Sequence, residues 1–329
     1  MRRALLATLI VLSGIGFIYE RNGERRDRQR YPQIGRLVDI GGRALNIYCS
    51  GEGSPTVVFE GAGHTAGYAW VDMQAAAAQF THACWYDRAG YDWSDPGPSP
   101  RTFRAIASDL HLLLHAASEP PRYVLVGATA GAFHMRVYNG LYPSEVAGAV
   151  LIHADDSDVF AHEPQYMKGA LTGLPTFLQR AGCAVIRPAM LRLGLLRLMG
   201  NPGSGRPFGL PNLNPAQRQE LMFLSNNPAT AQTEGEGCVL DQNMAEVRAA
   251  GNFGNRPLFV LSGSSPFRSP APKYARATQA LNDYWFHELQ PRLAALSTHG
   301  HLIVEENAEQ PAAIVAAIHS VVAAVRAQQ

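Results

Sequence analysis

Apolar residues in this chain follow two rhythms. Short apolar runs bounded by glycine, proline or serine read as buried strands: "TVVFE", "THACWYD", "YVLVG", "AGAVLIH" and "PLFVLSG". Between them, apolar positions recur at helical spacing in "AWVDMQAAAAQF", "RTFRAIASDLHLLLHAA", residues 130–141, "YARATQALNDYWFHELQPRLAAL" and "PAAIVAAIHSVVAAVRA". Ahead of these, "GRLVDIGGRALNIYCSGEGSP" predicts a hairpin turning at Gly41 and Gly42. Strands separated by helices of this length predict right-handed crossovers and a mostly parallel sheet. From 155 to 256 the strand rhythm stops and "FLQRAGCAVIRPAMLRLGLLRLMG" and "PAQRQELMFL" show helical spacing broken by proline and glycine, which predicts an inserted helical cap. A core of residues 31–154 and 257–329 around a cap of 155–256 follows.

The first thirty residues change that picture. Two arginines precede an unbroken apolar run from Ala4 to Tyr19, and an arginine-rich stretch, Glu20–Arg30, comes after it. The run lacks a polar face and a small-x-small cleavage site, so it predicts an uncleaved signal anchor followed by a solvated or juxtamembrane linker. The expected place is the bacterial inner membrane with the domain on the extracytoplasmic side, although arginines on both flanks leave orientation open. A net charge of +1 without a clustered basic face excludes a nucleic-acid partner. The cysteines, Cys49, Cys84, Cys183 and Cys238, form no C-x-x-C pair and no zinc-like spacing. An exported domain permits disulfides; Cys183 with Cys238 is the pair to test, with buried free thiols as the alternative.

Candidate chemistry concentrates in "YVLVGATAGAF", a strand running into a tight turn with a helix to follow, and Thr129 at the tip. Together with "WYDRAGYDWSDPGPSPRT", "YPSEVAGAVLI" and "HGHLIVEE", this order of pieces resembles the α/β-hydrolase superfamily, in particular its membrane-anchored bacterial esterase-like branch, over roughly residues 31–325. The resemblance implies an α/β fold with a mostly parallel central sheet, flanking helices and the cap. It also implies that Gly127-Ala128-Thr129-Ala130-Gly131 is the nucleophile elbow G-x-S-x-G, with Ala128 and Thr129 where relatives have His and Ser.

On that resemblance, Thr129 is the nucleophile and His301 the base, with His299 its neighbour. Ala130 and the residues Ala62, Gly63 and His64 supply the oxyanion hole. The acid that orients the base is expected at the end of "AGAVLI", where this chain has His153; Asp155 or Asp156 is the substitute. Asp87 and Arg88 read as a structural ion pair or loop brace, Tyr91 and Trp93 as pocket lining or packing beneath the cap. No metal or organic cofactor is implied. The expected activity is hydrolysis of a small or medium carboxylic ester, with an apolar small-molecule substrate suggested by the cap.

A β-branched residue at a strained elbow counts against catalysis. A pseudoenzyme that binds a small apolar ligand without turnover is therefore the competing reading, and a non-hydrolytic enzyme on the same scaffold is a third.

Overall fold

The computed structural model describes residues 2–61, 65, 67–167, 185–198, 214–224, 239–263, 267–308 and 310–328. Eight strands form one sheet: β1 Arg36–Asp39, β2 Ala44–Ser50, β3 Thr56–Glu60, β4 Ala83–Tyr86, β5 Tyr123–Ala128, β6 Val146–Ile152, β7 Leu258–Ser262 and β8 Gly300–Val304. Their spatial order is β1-β2-β4-β3-β5-β6-β7-β8. The pairings β1 with β2 and β2 with β4 are antiparallel; all others are parallel.

The central strands are apolar throughout because both faces are covered. Along β5, Leu125 packs with helix α3 (Phe103–Ala116) and helix α4 (Ala130–Leu141), through Leu110, Leu113 and Met135. Its neighbours Val124 and Val126 point the other way, into a cluster with Met73 of α2 (Val71–Ala77) and Ile314, Ile318 and Val321 of the C-terminal helix (Pro311–Arg326). The β1–β2 turn uses Gly41 and Gly42 at φ +104° and +87°, with both amides donating to the Asp39 carboxylate at 2.9 Å. Between β6 and β7 the described residues contain helical pieces only: α5 (Val159–His162), α6 (Arg187–Arg192), α7 (Leu195–Leu198), α8 (Pro215–Leu224) and α9 (Leu240–Ala249).

Three expectations are corrected. The first concerns the linker: α1 runs without a break from Arg2 to Arg30, so Glu20–Arg30 is helix. Arg197 of the cap holds that half of α1, donating to both carboxylate oxygens of the buried Glu20 (2.9 and 3.0 Å) and to Asp27 (2.5 Å). Glu20 and Asp27 are thus paired with the cap, while Arg21, Arg25, Arg26, Arg28 and Arg30 of the same stretch stay exposed. The second concerns spanning: among the described residues, no helix is long and apolar enough to cross a membrane.

The third concerns the cysteines. Cys49 and Cys84 form a disulfide across β2 and β4, where the register sets them directly opposite. Adjacent strands put the two side chains on one face, a relation the linear spacing does not display. Cys183 and Cys238 lie outside the described residues.

A buried acid pair sits behind β4. Asp87 accepts from the Asn46 amide (2.8 Å) and the Gly67 N–H (3.1 Å), and lies against Asp92. Burial pushes Asp87 up to about 7, and burial with the Asp87 charge raises Asp92 well above its ordinary range. In the unfolded chain both titrate near ~4. The folded state therefore retains protons that the unfolded state loses; the stability linked to Asp87 is full below ~4 and lost as pH rises through about 7, and that linked to Asp92 is lost as pH rises through its own raised value.

Asp92 has φ +46°, a conformation that asparagine tolerates. Asp92→Asn keeps a donor toward Asp87 and removes one titrating carboxyl. Its stability relative to wild type is expected to be more favourable at pH 8 than at pH 5 by about 1–2 kcal/mol, read from urea unfolding at the two pH values. An equal difference at both values would show that the shared proton does not govern stability.

Candidate active site

β5 ends at Ala128 and α4 begins at Ala130, leaving Thr129 alone to reverse the chain. It does so at φ 49°, ψ −116°, a sparsely populated conformation that costs of order 1–3 kcal/mol and suits a β-branched side chain poorly. The Thr129 N–H donates to the Ile152 carbonyl (3.0 Å) and its carbonyl accepts from the Ala132 N–H (3.0 Å), so the bend is pinned from both sides. Close approach makes the flanking glycines obligatory. A Cβ on Gly127 would lie 2.5 Å from the Gly131 carbonyl oxygen, and one on Gly131 would lie 2.8 Å from the carbonyl oxygens of both Glu60 and Gly61.

Ala130 is the first residue of α4, where an N–H has no acceptor within the helix. Its role as an oxyanion donor is open to it on geometry. Ala62, Gly63 and His64 lie outside the described residues. The ends of their loop, however, are held from below by Arg88. Its guanidinium donates to the Gly61 carbonyl (2.9 Å) and the Thr65 carbonyl (3.3 Å), and pairs with the fully buried Glu60 carboxylate. Tyr86 and His134 close on the same carboxylate. Burial alone would raise Glu60; Arg88, His134 and Tyr86 together hold it below its ordinary range. Arg88 is thus a loop brace, with Glu60 rather than Asp87 as its ionic partner. Its guanidinium also lies over the buried Tyr91 ring, 4.4 Å from the centroid.

His301 is not brought to Thr129. It stands within β8, in the row that runs Val126, Val150, Phe259, His301 across β5, β6, β7 and β8. Thr129 lies three residues further along β5 than Val126. Three strand spacings of ~4.8 Å and three rises of ~3.3 Å separate the two backbones by roughly 17 Å, beyond the joint reach of a threonine and an imidazole. The His301 side chain is exposed and lies against Phe259, with ring centroids 4.8 Å apart. His299 precedes β8 and its Nδ1 meets the Asn255 carbonyl (2.7 Å). The connection from Val304 to Pro311, where a base after the last strand belongs, reads Glu-Glu-Asn-Ala-Glu-Gln. "HLIV" was therefore strand, not loop, and its apolar, β-branched character carried that signal.

The neighbour that the fold does supply is His153. It follows β6 as Thr129 follows β5, next to the paired Ala128 and Ile152, and it too has positive φ (46°). Its N–H donates to the Leu261 carbonyl (2.8 Å), and its ring lies 5.0 Å from the Trp285 ring. Trp285 is in turn fixed by its indole N–H donating to Ser262 (2.8 Å). Asp155 is pushed up to about 7 by desolvation, with the nearby His153 opposing the rise. Asp156 is committed elsewhere: it accepts from Arg136 (3.1 Å) and the Ser157 N–H (2.7 Å) and lies 3.6 Å from Arg292. Neither aspartate can orient a base at His301 from its place after β6.

A family profile described as alpha/beta hydrolase fold matches residues 55–322. The chain belongs to that family. The fold is also similar to solved structures of haloalkane dehalogenase DbeA from Bradyrhizobium elkani USDA94 (TM-score 0.58, 17% identity, 89% of this chain and 99% of that one) and of epoxide hydrolase CorEH (TM-score 0.60, 13% identity, 89% and 99%). A thermophilic esterase from Thermogutta terrifontis is similar at TM-score 0.56 and 17% identity, over 89% and 99% of the two chains. The uncharacterized protein YbdG of Bacillus subtilis (strain 168) is 24% identical over 149 residues, 44% of this chain and 46% of that protein, so the match spans about half of the relative's length.

The alpha/beta hydrolase frame makes the departures legible. The elbow is kept as backbone, with Thr129 at its tip; the position after β6 holds His153; the connection after β8 holds no histidine. Strain at the elbow gives a direct test. Thr129→Gly should stabilise the chain by about 1 kcal/mol, relief of positive φ outweighing the flexibility glycine adds to the unfolded chain, as measured by urea unfolding. Destabilisation would show instead that the threonine side chain makes contacts worth more than its strain.

Proposed function

We propose that this alpha/beta hydrolase fold protein binds a small, mainly apolar ligand through a carbonyl or carboxylate oxygen at the start of α4, without cleaving it by a Thr129–His301 route. The carrying observation is the register that sets His301 within β8, three strands across the sheet from the elbow and so roughly 17 Å away, with no histidine in the connection after β8. A hydroxyl at neutral pH is a weak nucleophile unless a base takes its proton. Backbone features support the reading: the bend, the N-terminus of α4, and the Gly61 and Thr65 carbonyls held by Arg88.

A second reading has one observation in its favour. Thr129 and His153 stand side by side at the ends of β5 and β6, so ester cleavage with Thr129 as nucleophile and His153 as base is its form. A fluorophosphonate probe and aryl esters separate the two. Under the binding reading, wild type labels and hydrolyses no more than Thr129→Ala, His301→Ala changes nothing, and octanoate raises the thermal midpoint of wild type. Labelling or hydrolysis lost in both Thr129→Ala and His153→Ala, but kept in His301→Ala, would establish the second reading and overturn the first.

We also propose that α1 seats on an anionic lipid surface without spanning it. Leu6, Ile10, Val11, Ile15 and Ile18 are each more than half exposed, as are Val185 and Ile186 before α6. Arginines between Arg21 and Arg30 supply the charge that anionic headgroups attract. The Cys49–Cys84 disulfide supports an oxidising, extracytoplasmic setting. The full chain is expected to float with phosphatidylglycerol vesicles far more than with phosphatidylcholine, and deletion of residues 2–19 to abolish flotation. Unchanged flotation after that deletion would refute the proposal.

A further inference from the structure

Away from Thr129, at the opposite, amino end of the parallel strands, two histidines and a glutamate converge. His111 and His115 are one turn apart on α3 and so share a face, near its C-terminal end. Glu145 lies in the 3₁₀ turn Pro143–Glu145 that leads into β6. His111 Nδ1 is 3.2 Å and His115 Nε2 is 2.9 Å from the Glu145 carboxylate, and the three ligand-type atoms all lie within 4.8 Å of one another.

The surroundings fix these groups before any ion arrives. The Tyr138 hydroxyl donates to Glu145 Oε2 (2.5 Å), and the Glu145 backbone is tied at both ends, its N–H to the Tyr142 carbonyl (3.0 Å) and its carbonyl to the Arg122 N–H (3.1 Å). The Tyr142 ring stacks flat on His111, with centroids 3.9 Å apart and planes 3° off parallel. A hydroxyl donating to a ligating carboxylate and a ring held in one orientation are the outer supports that metal sites use. His115 is half-exposed, which leaves a way in from solvent.

We propose that His111, His115 and Glu145 bind a zinc ion, with water in the fourth position. Zinc takes imidazole nitrogen and carboxylate oxygen at ~2.0–2.2 Å in tetrahedral array, which sets ligand atoms ~3.4 Å apart, close to the 3.2 and 2.9 Å that now separate the two imidazole nitrogens from the Glu145 carboxylate. Each imidazole nitrogen that now faces Glu145 as a donor gives up that proton to solvent, and the ion takes its place. Among the described residues the other convergence of such groups, Cys49, His82, Cys84 and Glu119, has its two sulfurs bonded to each other and offers no thiolate.

The test uses the metal-depleted full chain titrated with zinc chloride against a chromophoric chelator, with calcium chloride in parallel. Expected are one equivalent of zinc per chain, no calcium, and affinity at least tenfold weaker in His115→Ala and in Glu145→Gln, but unchanged in His82→Gln. Circular dichroism checks folding; His115, being half-exposed, is the variant least able to disturb it. No zinc bound by wild type, binding unchanged in folded His115→Ala, or binding lost in His82→Gln would each overturn the assignment.

Discussion

One buried carboxylate, Glu60, holds the elbow end of this fold in shape. It closes β3, receives Tyr86 from the end of β4, Arg88 from just beyond it and His134 from α4, and its backbone carbonyl takes the Trp70 indole N–H at 2.9 Å. Removing one partner of a buried pair costs about 3–5 kcal/mol because the other charge is stranded. The same guanidinium carries the loop at Gly61 and Thr65, so electrostatic balance and loop geometry are one constraint. Gly131 must approach the Glu60 and Gly61 carbonyls closely for α4 to start where it does, which couples the elbow to the same point.

The elbow therefore survives as architecture apart from its chemistry. Its sharp bend is demanded by β5, α4 and the Glu60 node together, and these persist whichever residue stands at the tip. Proton transfer by a base after the last strand has no such support: an imidazole must be delivered within hydrogen-bond reach, and the short connection from Val304 to Pro311 delivers none. Keeping the costly conformation at Thr129 is explained by the scaffold, without appeal to turnover.

Most of the fold was legible in the sequence because burial on both faces writes an unbroken apolar run. "TVVFE" is β3 as read, and residues 130–141 form α4 as read. The glycines of the elbow were legible as spacing. What was not legible depends on register, which local sequence does not encode. Whether "GHLIV" is strand or the loop beyond it decides the place of His301 by several residues, and only pairing with β7 settles it. Cys49 opposite Cys84 is likewise a fact of register between β2 and β4. The helical state of Glu20–Arg30 was hidden because Arg197, far off in the chain, supplies the compensating charge. The share of Arg88 between Glu60 and two loop carbonyls was hidden for the same reason.

The cross-strand disulfide also has a mechanical side. Whatever grips α1 pulls on the domain through its Arg197 contact with the cap and, along the chain, through β1 and β2, the antiparallel edge, which backbone hydrogen bonds alone would let peel away strand by strand. The covalent rung between Cys49 and Cys84 passes that load straight to β4 and so to the interior of the sheet.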